Sequence, residues 1–167
     1  MFMKEHFLME SPLGTLTLVN TDGALSGLYM PEHKRGPRPE ALGTRVRSGF
    51  ERAVSQLQEY FDQKRTVFTL ALAPEGTDFQ QRVWKQLRNI PFGETRTYAQ
   101  LADAIGNRAA IRAVGLANGR NPLSIMVPCH RVIGSDGSLT GYAGGLDRKR
   151  FLLELEGAAP LCQLELV

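Results

Sequence analysis

The length, composition and charge of the chain already exclude several classes of protein. With 167 residues, 43% of them hydrophobic, the chain can bury a core as one compact domain or two small ones. Its two cysteines are far apart and make no disulfide framework, and no stretch approaches the roughly 20 apolar residues that span a bilayer. Because the charged N-terminus is unlike a signal peptide, we expect a cytoplasmic protein with reduced thiols.

The net charge of +3 falls wholly in the second half of the chain. Residues 1–75 are balanced, whereas residues 76–167 carry the surplus and contain nine Arg against two Lys. A guanidinium group can bind phosphate oxygens with two parallel hydrogen bonds, so this bias suits phosphate recognition. A surplus of three charges is also typical of an ordinary solvated surface, so charge alone does not decide.

Alternating residues near the N-terminus predict a small antiparallel sheet. Apolar side chains alternate with threonine over residues 13–19, and Asp22-Gly23 is a hairpin-turn signal before a second predicted strand at residues 25–29. A third alternating run covers residues 66–73 and ends at Pro74-Glu75-Gly76. We expect three strands in this part of the chain.

An amphipathic helix is predicted between the second and third strands. After a loop rich in proline and charge, apolar residues recur every three or four positions, which is typical of one buried helical face. These residues are Val46, Phe50, Val54, Leu57 and Phe61. We expect this helix to cover one face of the sheet. We place a domain boundary at the Pro74-Glu75-Gly76 break after the third strand, dividing the chain into residues 1–75 and 76–167.

Capping boxes mark the starts of two helices in the second domain. They occupy residues 77–80 and 97–100, and in each a Thr and a Gln three residues later satisfy each other's backbone N–H groups. The first helix should end near Ile90 and the second at Gly106. A third helix is predicted from about residue 108 to residue 118.

The second and third of these helices form a helix-turn-helix candidate, with the third in the recognition position. Such hairpins also occur in proteins that never touch DNA, so the pattern leaves both readings open. The third helix offers the small residues Ala109, Ala113 and Gly115 on a face that also displays Arg112. That face suits close packing against another helix, or insertion into a minor groove about 6 Å wide with Arg112 as a probe.

The segment Pro128-Cys129-His130-Arg131 is the stretch best suited to covalent chemistry. A buried cysteine is more often a small core hydrophobe than a nucleophile. A thiol becomes reactive at neutral pH when a base or a cation lies nearby, and His130 and Arg131 supply both types. Neighbouring side chains of an extended segment point to opposite faces, so a Cys129–His130 relay requires a backbone turn or a bridging water.

A histidine that acts as a base needs a carboxylate to set its tautomer and stabilise its charged form. Spacing leaves four candidates open for this role. They are Asp136, Asp147, Glu154 and Glu156. A metal site is the main rival use of Cys and His, but the other such residues, His6, His33 and Cys162, are scattered without paired ligand spacing. We therefore expect neither a metal nor a cofactor.

Several motifs resemble those of the O6-alkylguanine-DNA alkyltransferases. Pro128-Cys129-His130-Arg131-Val132 is similar to the PCHR signature of that family. Further motifs agree in order and spacing. They are Pro91-Phe92-Gly93-Glu94 with Tyr98, Arg112-Ala113-Val114-Gly115, Asn121-Pro122, Gly141-Tyr142-Ala143-Gly144-Gly145, and Glu156-Gly157. The likeness extends from about residue 76 to residue 157, and the preceding part looks like the family's N-terminal domain.

The resemblance implies a fold and a function for the whole chain. The fold would be an α/β N-terminal domain, ribonuclease H-like, followed by a mainly α C-terminal winged helix-turn-helix domain. The function would be a single-use transfer of an alkyl group from O6-alkylguanine, and from O4-alkylthymine, in duplex DNA to Cys129. Minor-groove binding, base flipping and a monomeric state are implied, with no membrane association; cooperative assembly on DNA stays open.

The resemblance also implies roles for matching residues. Cys129 would accept the alkyl group, activated through a water by His130, whose other nitrogen pairs with Glu156. Arg112 would fill the gap left by the flipped nucleotide, Tyr98 would crowd the rotated phosphate and donate a proton to the departing guanine, and Asn121 would be a hinge. Further DNA contacts would come from Arg108, Ala113, Gly115 and Arg120. The base pocket would be lined by backbone groups at Cys129 and by Val132, Tyr142, Ala143 and Gly144.

Three departures from the family pattern stand out. Arg108-Ala109-Ala110-Ile111 replaces a frequent Pro-Lys-Ala-Ala, and Ala143 replaces a serine of some members, which removes one hydroxyl contact. The N-terminal region contains no cysteine, so the zinc site of some members should be absent. Two other functions remain alternatives: a lesion-binding module without transfer, which the presence of Cys129 disfavours, and a thiol hydrolase, which the DNA-binding features disfavour.

Overall fold

A computed structural model describes residues 3–158, and its first part is built on a four-stranded sheet. The strands are β1 (Lys4–Ser11), β2 (Gly14–Thr21), β3 (Ala24–Tyr29) and β4 (Thr44–Arg45), in the order β3-β2-β1-β4. The first three pair antiparallel, whereas β4 pairs parallel with β1. The predicted strands β2 and β3 are confirmed, but the wholly antiparallel sheet was wrong because β4 joins its edge.

The hairpin turn predicted at Asp22-Gly23 is confirmed. Both residues have positive φ, 50° at Asp22 and 86° at Gly23, as a two-residue primed turn requires. Such a turn matches the twist of the strands it connects. It therefore sets the register in which Thr21 pairs with Ala24.

Two predicted elements of the first part differ from the structure. The helix α1 covers Glu51–Phe61 and begins after Val46 and Phe50, which pack against the core from the preceding segment. The strand predicted over residues 66–73 was wrong: Leu72 forms one isolated bridge with Leu25. Its alternation places Phe68, Leu70 and Leu72 against the core, but the segment bonds to β3 only around Leu25 and forms no longer ladder.

The second part is mainly helical. It contains α2 (Asp78–Arg88), β5 (Arg96–Thr97), α3 (Tyr98–Ala104), α4 (Ile111–Gly119), β6 (Val132–Ile133) and α5 (Leu146–Leu155), and β5 pairs parallel with β6. Both capping boxes are confirmed, with the Thr and Gln side chains bonded reciprocally at the starts of α2 and α3. The third predicted helix begins as a 3-10 turn, Arg108–Ala110, before α4 continues it.

The helix α4 packs one side against α2 and leaves Arg112 and Ala113 exposed on another. Val114 and Ala117 are buried, and the indole Nε1 of Trp84 donates a 2.8 Å hydrogen bond to the carbonyl of Ala117. In contrast, Arg112 and Ala113 are exposed. Within residues 3–158, close packing against a neighbouring helix does not account for this face.

One hydrophobic core runs through both parts, and Arg148 adds polar links between them. From α5, its guanidinium donates to the carbonyl oxygens of Leu13 (3.0 Å), Pro31 (3.0 Å) and Gly144 (2.9 Å). Leu13 and Pro31 belong to the sheet-bearing part, whereas Gly144 precedes α5. Arg148 therefore fixes the loop before α5 against the N-terminal part.

Among the described helices none is both long and apolar enough to cross a membrane. The second cysteine, Cys162, lies outside residues 3–158.

Arg148→Ala should lower the free energy of unfolding by roughly 2 kcal/mol, because three carbonyl acceptors lose a charged donor. Urea unfolding followed by circular dichroism measures this difference. Arg52→Ala, which removes an exposed arginine from α1, is the matched control and should change stability by less than about 0.5 kcal/mol. Equal effects of the two substitutions would contradict the linking role.

Candidate active site

The backbone turns at Cys129, which decides how this residue and His130 relate. Cys129–Arg131 form a single 3-10 turn between Pro128 and β6, and the N–H of Arg131 donates to the carbonyl of Pro128 at 3.0 Å. The extended arrangement that would separate the two side chains is therefore absent here. Cys129 is 5% exposed and His130 is fully buried, so both lie in the interior.

Glu156 is the carboxylate that meets His130. His130 Nε2 and Glu156 Oε2 are 2.7 Å apart, and both side chains are fully buried. Glu156 is the C-cap of α5, and Gly157 follows it with a φ of 67°, a conformation that ends helices and favours glycine. Of the other candidates, Asp136 accepts a bond from the backbone of Ser138, whereas Asp147 and Glu154 are exposed.

The Glu156 carboxylate has four further hydrogen bonds. Arg131 donates from Nε to Oε1 at 2.8 Å and from Nη2 to Oε2 at 3.0 Å. The Tyr60 hydroxyl, which belongs to α1, donates to Oε2 at 2.6 Å, and the Gly93 N–H reaches Oε1 at 3.4 Å. Burial by itself would raise the pKa of Glu156, but its bonds and charge interactions with His130 and Arg131 hold that pKa well below its usual range. The carboxylate is therefore charged.

Cys129 and His130 are both neutral in this environment near neutral pH. Burial raises the pKa of the Cys129 thiol, partly offset by the neighbouring Asn121, Lys149 and Tyr142 side chains. Burial also lowers the pKa of His130, although Glu156 opposes the effect. A neutral His130 that donates from Nε2 to Glu156 leaves a lone pair on Nδ1. Within residues 3–158, this buried Nδ1 has no hydrogen-bond partner, so it can accept a proton.

Lys149 is a buried cation that the sequence did not single out. It lies on α5 within Arg148-Lys149-Arg150, a run whose sequence is typical of a solvated surface, yet it is fully buried. Its Nζ donates to the carbonyl oxygens of Thr140 (3.1 Å) and Gly141 (3.4 Å). Burial lowers the pKa of Lys149 to about 8, and a thiolate at Cys129 would oppose this change. A positive charge therefore lies close enough to stabilise a thiolate.

Asn121 connects the end of α4 to the segment that carries the thiol. Its Nδ2 donates to the carbonyl of Val127 at 2.7 Å, and its Oδ1 accepts from the N–H of Leu123 at 2.9 Å. The side chain is buried and lies near enough to Cys129 to favour the thiolate. A movement of α4 would thus shift the position of Asn121 and of the segment that carries Cys129.

A cavity of about 240 Å³ opens between the start of α3, α4 and the loop before α5, and Cys129 is not among the residues that line it. Its lining includes Tyr142 and Ala143, which the base-pocket prediction named, and Tyr98 and Gly115, which the DNA-contact prediction named. Val132 and Gly144 do not line this cavity: Val132 is fully buried in β6, and Gly144 packs against Met30. Tyr142 also interacts electrostatically with Cys129, which connects the cavity with the thiol.

The predictions from the sequence did not include Lys34 and Arg35, which line this cavity from the sheet-bearing part. The N–H of Lys34 donates to the carbonyl of Ala143 at 2.8 Å. Both residues lie in the loop after β3, whose charge is typical of a solvated surface. No signal in the sequence places that loop against residues more than 100 positions away.

The predicted DNA contacts lie on or beside α4. Arg112, Ala113 and Arg120 are exposed, and Arg108 is exposed with its Nε 3.4 Å from Asp103 Oδ1. Leu116 is 60% exposed between this face and the cavity. An exposed, partly basic helix face and the entrance to the cavity are therefore adjacent.

Comparison with known proteins explains why these groups occur together. Family models match residues 5–74, as the 6-O-methylguanine DNA methyltransferase ribonuclease-like domain, and residues 78–158, as the DNA binding domain of the same family. A methylated-DNA--protein-cysteine methyltransferase of Methanosarcina barkeri is 52% identical, covering 89% of this chain and 94% of that protein. The chain belongs to this methyltransferase family.

Relatives from mycobacteria agree with this assignment to the methyltransferase family. A methylated-DNA--protein-cysteine methyltransferase of Mycobacterium tuberculosis is 53% identical, with 89% of each chain covered. The crystal structure of Mycobacterium tuberculosis OGT in complex with DNA matches with a TM-score of 0.86 and 50% identity, covering 96% of this chain and 99% of that one. The chain therefore has the family's two-domain fold, an N-terminal sheet domain and a helical C-terminal DNA-binding domain.

Glu156→Gln should lower the free energy of unfolding by roughly 3 kcal/mol at pH 7, because it leaves the buried Arg131 charge without its anion. The pKa of Glu156 is lowered in the folded state, so its contribution is present above the ordinary value of 4.5 and is lost as pH falls through the folded-state value. Urea unfolding between pH 7 and pH 4 should show the difference beginning to shrink below pH 4.5.

The exposed Glu154→Gln provides the control. It should change stability little at any of these pH values. A Glu156→Gln variant as stable as Glu154→Gln at pH 7 would show that the buried ion pair does not stabilise the fold.

Proposed function

We propose that this chain repairs DNA by transferring an alkyl group from O6-alkylguanine in duplex DNA to Cys129, once per molecule. The observation that carries the proposal is the buried Cys129–His130–Glu156 set, whose thiol interacts with Tyr142 in the wall of a cavity next to an exposed helix face. Relatives about half identical in sequence are named methylated-DNA--protein-cysteine methyltransferases. One matching structure is a complex with DNA.

The proposed reaction begins with removal of the thiol proton. His130 Nδ1 takes this proton through a bridging water, and Glu156 stabilises the imidazolium that forms through its 2.7 Å contact with Nε2. Lys149 stabilises the thiolate across a short distance in a medium of low polarity. The thiolate is thus formed only inside the site, where the substrate is bound.

The transfer itself is a displacement at the alkyl carbon. The Cys129 sulfur donates an electron pair to this carbon, and the bond from carbon to the O6 oxygen breaks with its electrons leaving on guanine. Tyr98, whose hydroxyl donates to the carbonyl of Thr140 at 3.1 Å at the cavity wall, supplies a proton to the departing base. The thioether product has no ionisable proton and is a poor leaving group, so the protein acts once.

The lesion must leave the base stack before the thiol can reach it. Rotating a nucleotide out of duplex DNA costs a few kcal/mol, less when its pairing is damaged. We propose that α4 lies in the minor groove with its small, exposed residues close to the DNA, and that Arg112 fills the gap in the stack. Arg108, Ala113, Gly115 and Arg120 would make the adjacent contacts.

The finer features of this proposal follow the family resemblance. We propose a domain boundary at residues 75 and 76, supported by family matches that end at residue 74 and resume at residue 78. The N-terminal domain would be ribonuclease H-like, and α3 with α4 would form a winged helix-turn-helix. O4-alkylthymine would be a second substrate, and the protein would act as a cytoplasmic monomer. The pocket roles of Val132 and Gly144 would be to support the cavity wall from behind.

Incubation with duplex DNA containing O6-methylguanine should increase the intact mass of the protein by about 14 Da, the replacement of a thiol hydrogen by a methyl group. Peptide mapping should place the gain on Cys129, and Cys129→Ala should show none. A wild-type protein that binds the lesion without gaining mass would instead be a lesion-binding module, and the transfer proposal would fail.

Arg112→Ala should slow repair in duplex DNA by more than tenfold. Without the Arg112 side chain in the gap, the state with the nucleotide rotated out is destabilised by up to a few kcal/mol. Reaction with free O6-benzylguanine, which needs no flipping, should keep its wild-type rate. Single-turnover kinetics on both substrates measure the two effects. The control Arg52→Ala removes the same charge from an exposed position on α1 and should change neither rate. Equal losses on both substrates in Arg112→Ala would contradict the flipping role.

A further inference from the structure

The Glu156 carboxylate receives a donor that the proposed relay does not require. Its Oε2 accepts from His130 Nε2 at 2.7 Å and from Arg131 Nη2 at 3.0 Å, which together set its position and balance its charge. The same oxygen also accepts from the Tyr60 hydroxyl at 2.6 Å. Tyr60 lies on α1 of the sheet domain, 96 residues from Glu156. The two domains therefore meet at the oxygen that holds His130.

We propose that Tyr60 is a positioning residue which acts through Glu156 and restrains the reactivity of Cys129. This inference rests on the proposed relay. A phenol O–H donated to Oε2 stabilises the negative charge on that oxygen, so the carboxylate has less capacity to stabilise an imidazolium at His130. The thiol proton is then transferred less readily, and Cys129 remains a thiol over a wider range of pH.

Packing aims the Tyr60 hydroxyl at this oxygen. The residue is fully buried, and its ring centroid lies 5.5 Å from that of Phe61, 5.4 Å from that of Phe68 and 6.2 Å from that of Phe92. These rings hold the tyrosine from several sides. Phenylalanine at position 60 would keep the same ring contacts. A Tyr60→Phe substitution therefore isolates the hydroxyl from the packing.

Arg131 makes the effect of the hydroxyl chemical rather than steric. Its Nε and Nη2 bind the two oxygens of Glu156, at 2.8 and 3.0 Å, so the carboxylate stays in place without Tyr60. Two donors, His130 and Arg131, remain on Oε2. Removing the phenol then leaves the geometry of the His130–Glu156 pair intact and raises the basicity of the carboxylate.

The charges around His130 make it sensitive to this change. Arg131 on the 3-10 turn and Lys149 on α5 both oppose protonation of His130, whereas Glu156 at the end of α5 favours it. Tyr142, from the loop before α5, interacts with both Cys129 and Glu156, and Tyr60 on α1 bonds to Glu156. Among these charged groups, Glu156 is the one that stabilises the imidazolium of His130. A hydrogen bond donated to Glu156 therefore changes directly how readily His130 takes a proton.

A restrained thiol suits a protein that acts once. Transfer forms a thioether, so every Cys129 that meets a stray electrophile is lost for repair. Burial and the Tyr60 donor both keep the residue protonated until a substrate occupies the site. The sheet domain therefore contributes to reactivity as well as to packing.

The test compares the full chain with its Tyr60→Phe variant, each carrying Cys162→Ser so that one thiol reacts. Iodoacetamide serves as a small electrophile without DNA, and intact mass with peptide mapping follows alkylation of Cys129 from pH 5 to pH 10. Tyr60→Phe should react about threefold faster near pH 6, the change expected from roughly half a unit in the midpoint when one hydrogen bond to the carboxylate is lost. The midpoint of the rate profile should move to lower pH.

Tyr29→Phe is the matched control, because it removes another phenol hydroxyl from the sheet domain, on β3, and it should leave the profile unchanged. An unchanged profile for Tyr60→Phe would make the hydroxyl purely structural and overturn the proposal. A slower reaction with a midpoint at higher pH would overturn it as well, because Tyr60 would then assist the relay.

Site-specific 3-fluorotyrosine at position 60 provides a variant that keeps the hydroxyl and nearly the same shape. As a stronger donor, it should slow alkylation and move the midpoint to higher pH, and an unmoved midpoint would overturn the proposal even if Tyr60→Phe fails to fold. Wild-type protein that takes no methyl group from lesion DNA would refute the proposed function. Repair with an unchanged Tyr60→Phe profile would refute this inference alone.

Discussion

The rest of the site depends on the hydrogen bonds and the ion pair that hold the buried carboxylate of Glu156. An isolated charge in the interior costs several kcal/mol, and it persists only when paired and fully hydrogen-bonded. Arg131 supplies the opposite charge, and His130, Tyr60 and the backbone of Gly93 supply the remaining donors. These donors come from both domains, so satisfying one carboxylate fixes α1, the 3-10 turn and the end of α5 relative to one another.

The same burial explains the state of the thiol. An interior that favours neutral groups raises the pKa of Cys129 and lowers that of His130, so the pair rests uncharged. The positive charge of Lys149 lies near the Cys129 sulfur, which would become a thiolate in the proposed transfer. The negative charge of Glu156 contacts His130, which would become an imidazolium. Preorganised charges of this kind favour the ionised state without solvent reorganisation. The pair is therefore uncharged at rest, and the proposed transfer would need one proton to move from Cys129 to His130.

The helix α4 shows how burial resolves a pattern that the sequence leaves ambiguous. Small residues permit either close helix packing or close approach to a groove, and nothing in their spacing separates the two. Val114 and Ala117 face the core, whereas Ala113 and Arg112 face outward beside the cavity. Asn121 then links the end of this helix to the thiol-bearing segment. The helix proposed to bind DNA is thus linked directly to the segment that carries the thiol.

By itself the sequence determined the features that depend on neighbours in the chain. The capping boxes of α2 and α3, the Asp22-Gly23 turn and the strands it joins all follow from interactions within a few residues. The tertiary structure alone decided the pairing of β4 with β1, the burial of Lys149 and the approach of Lys34 to the cavity. Spacing left four carboxylates open as partners of His130, the family resemblance pointed to Glu156, and the structure places Glu156 at 2.7 Å from His130. Each of these joins groups distant in sequence, whose meeting depends on how the whole chain packs and leaves no local pattern.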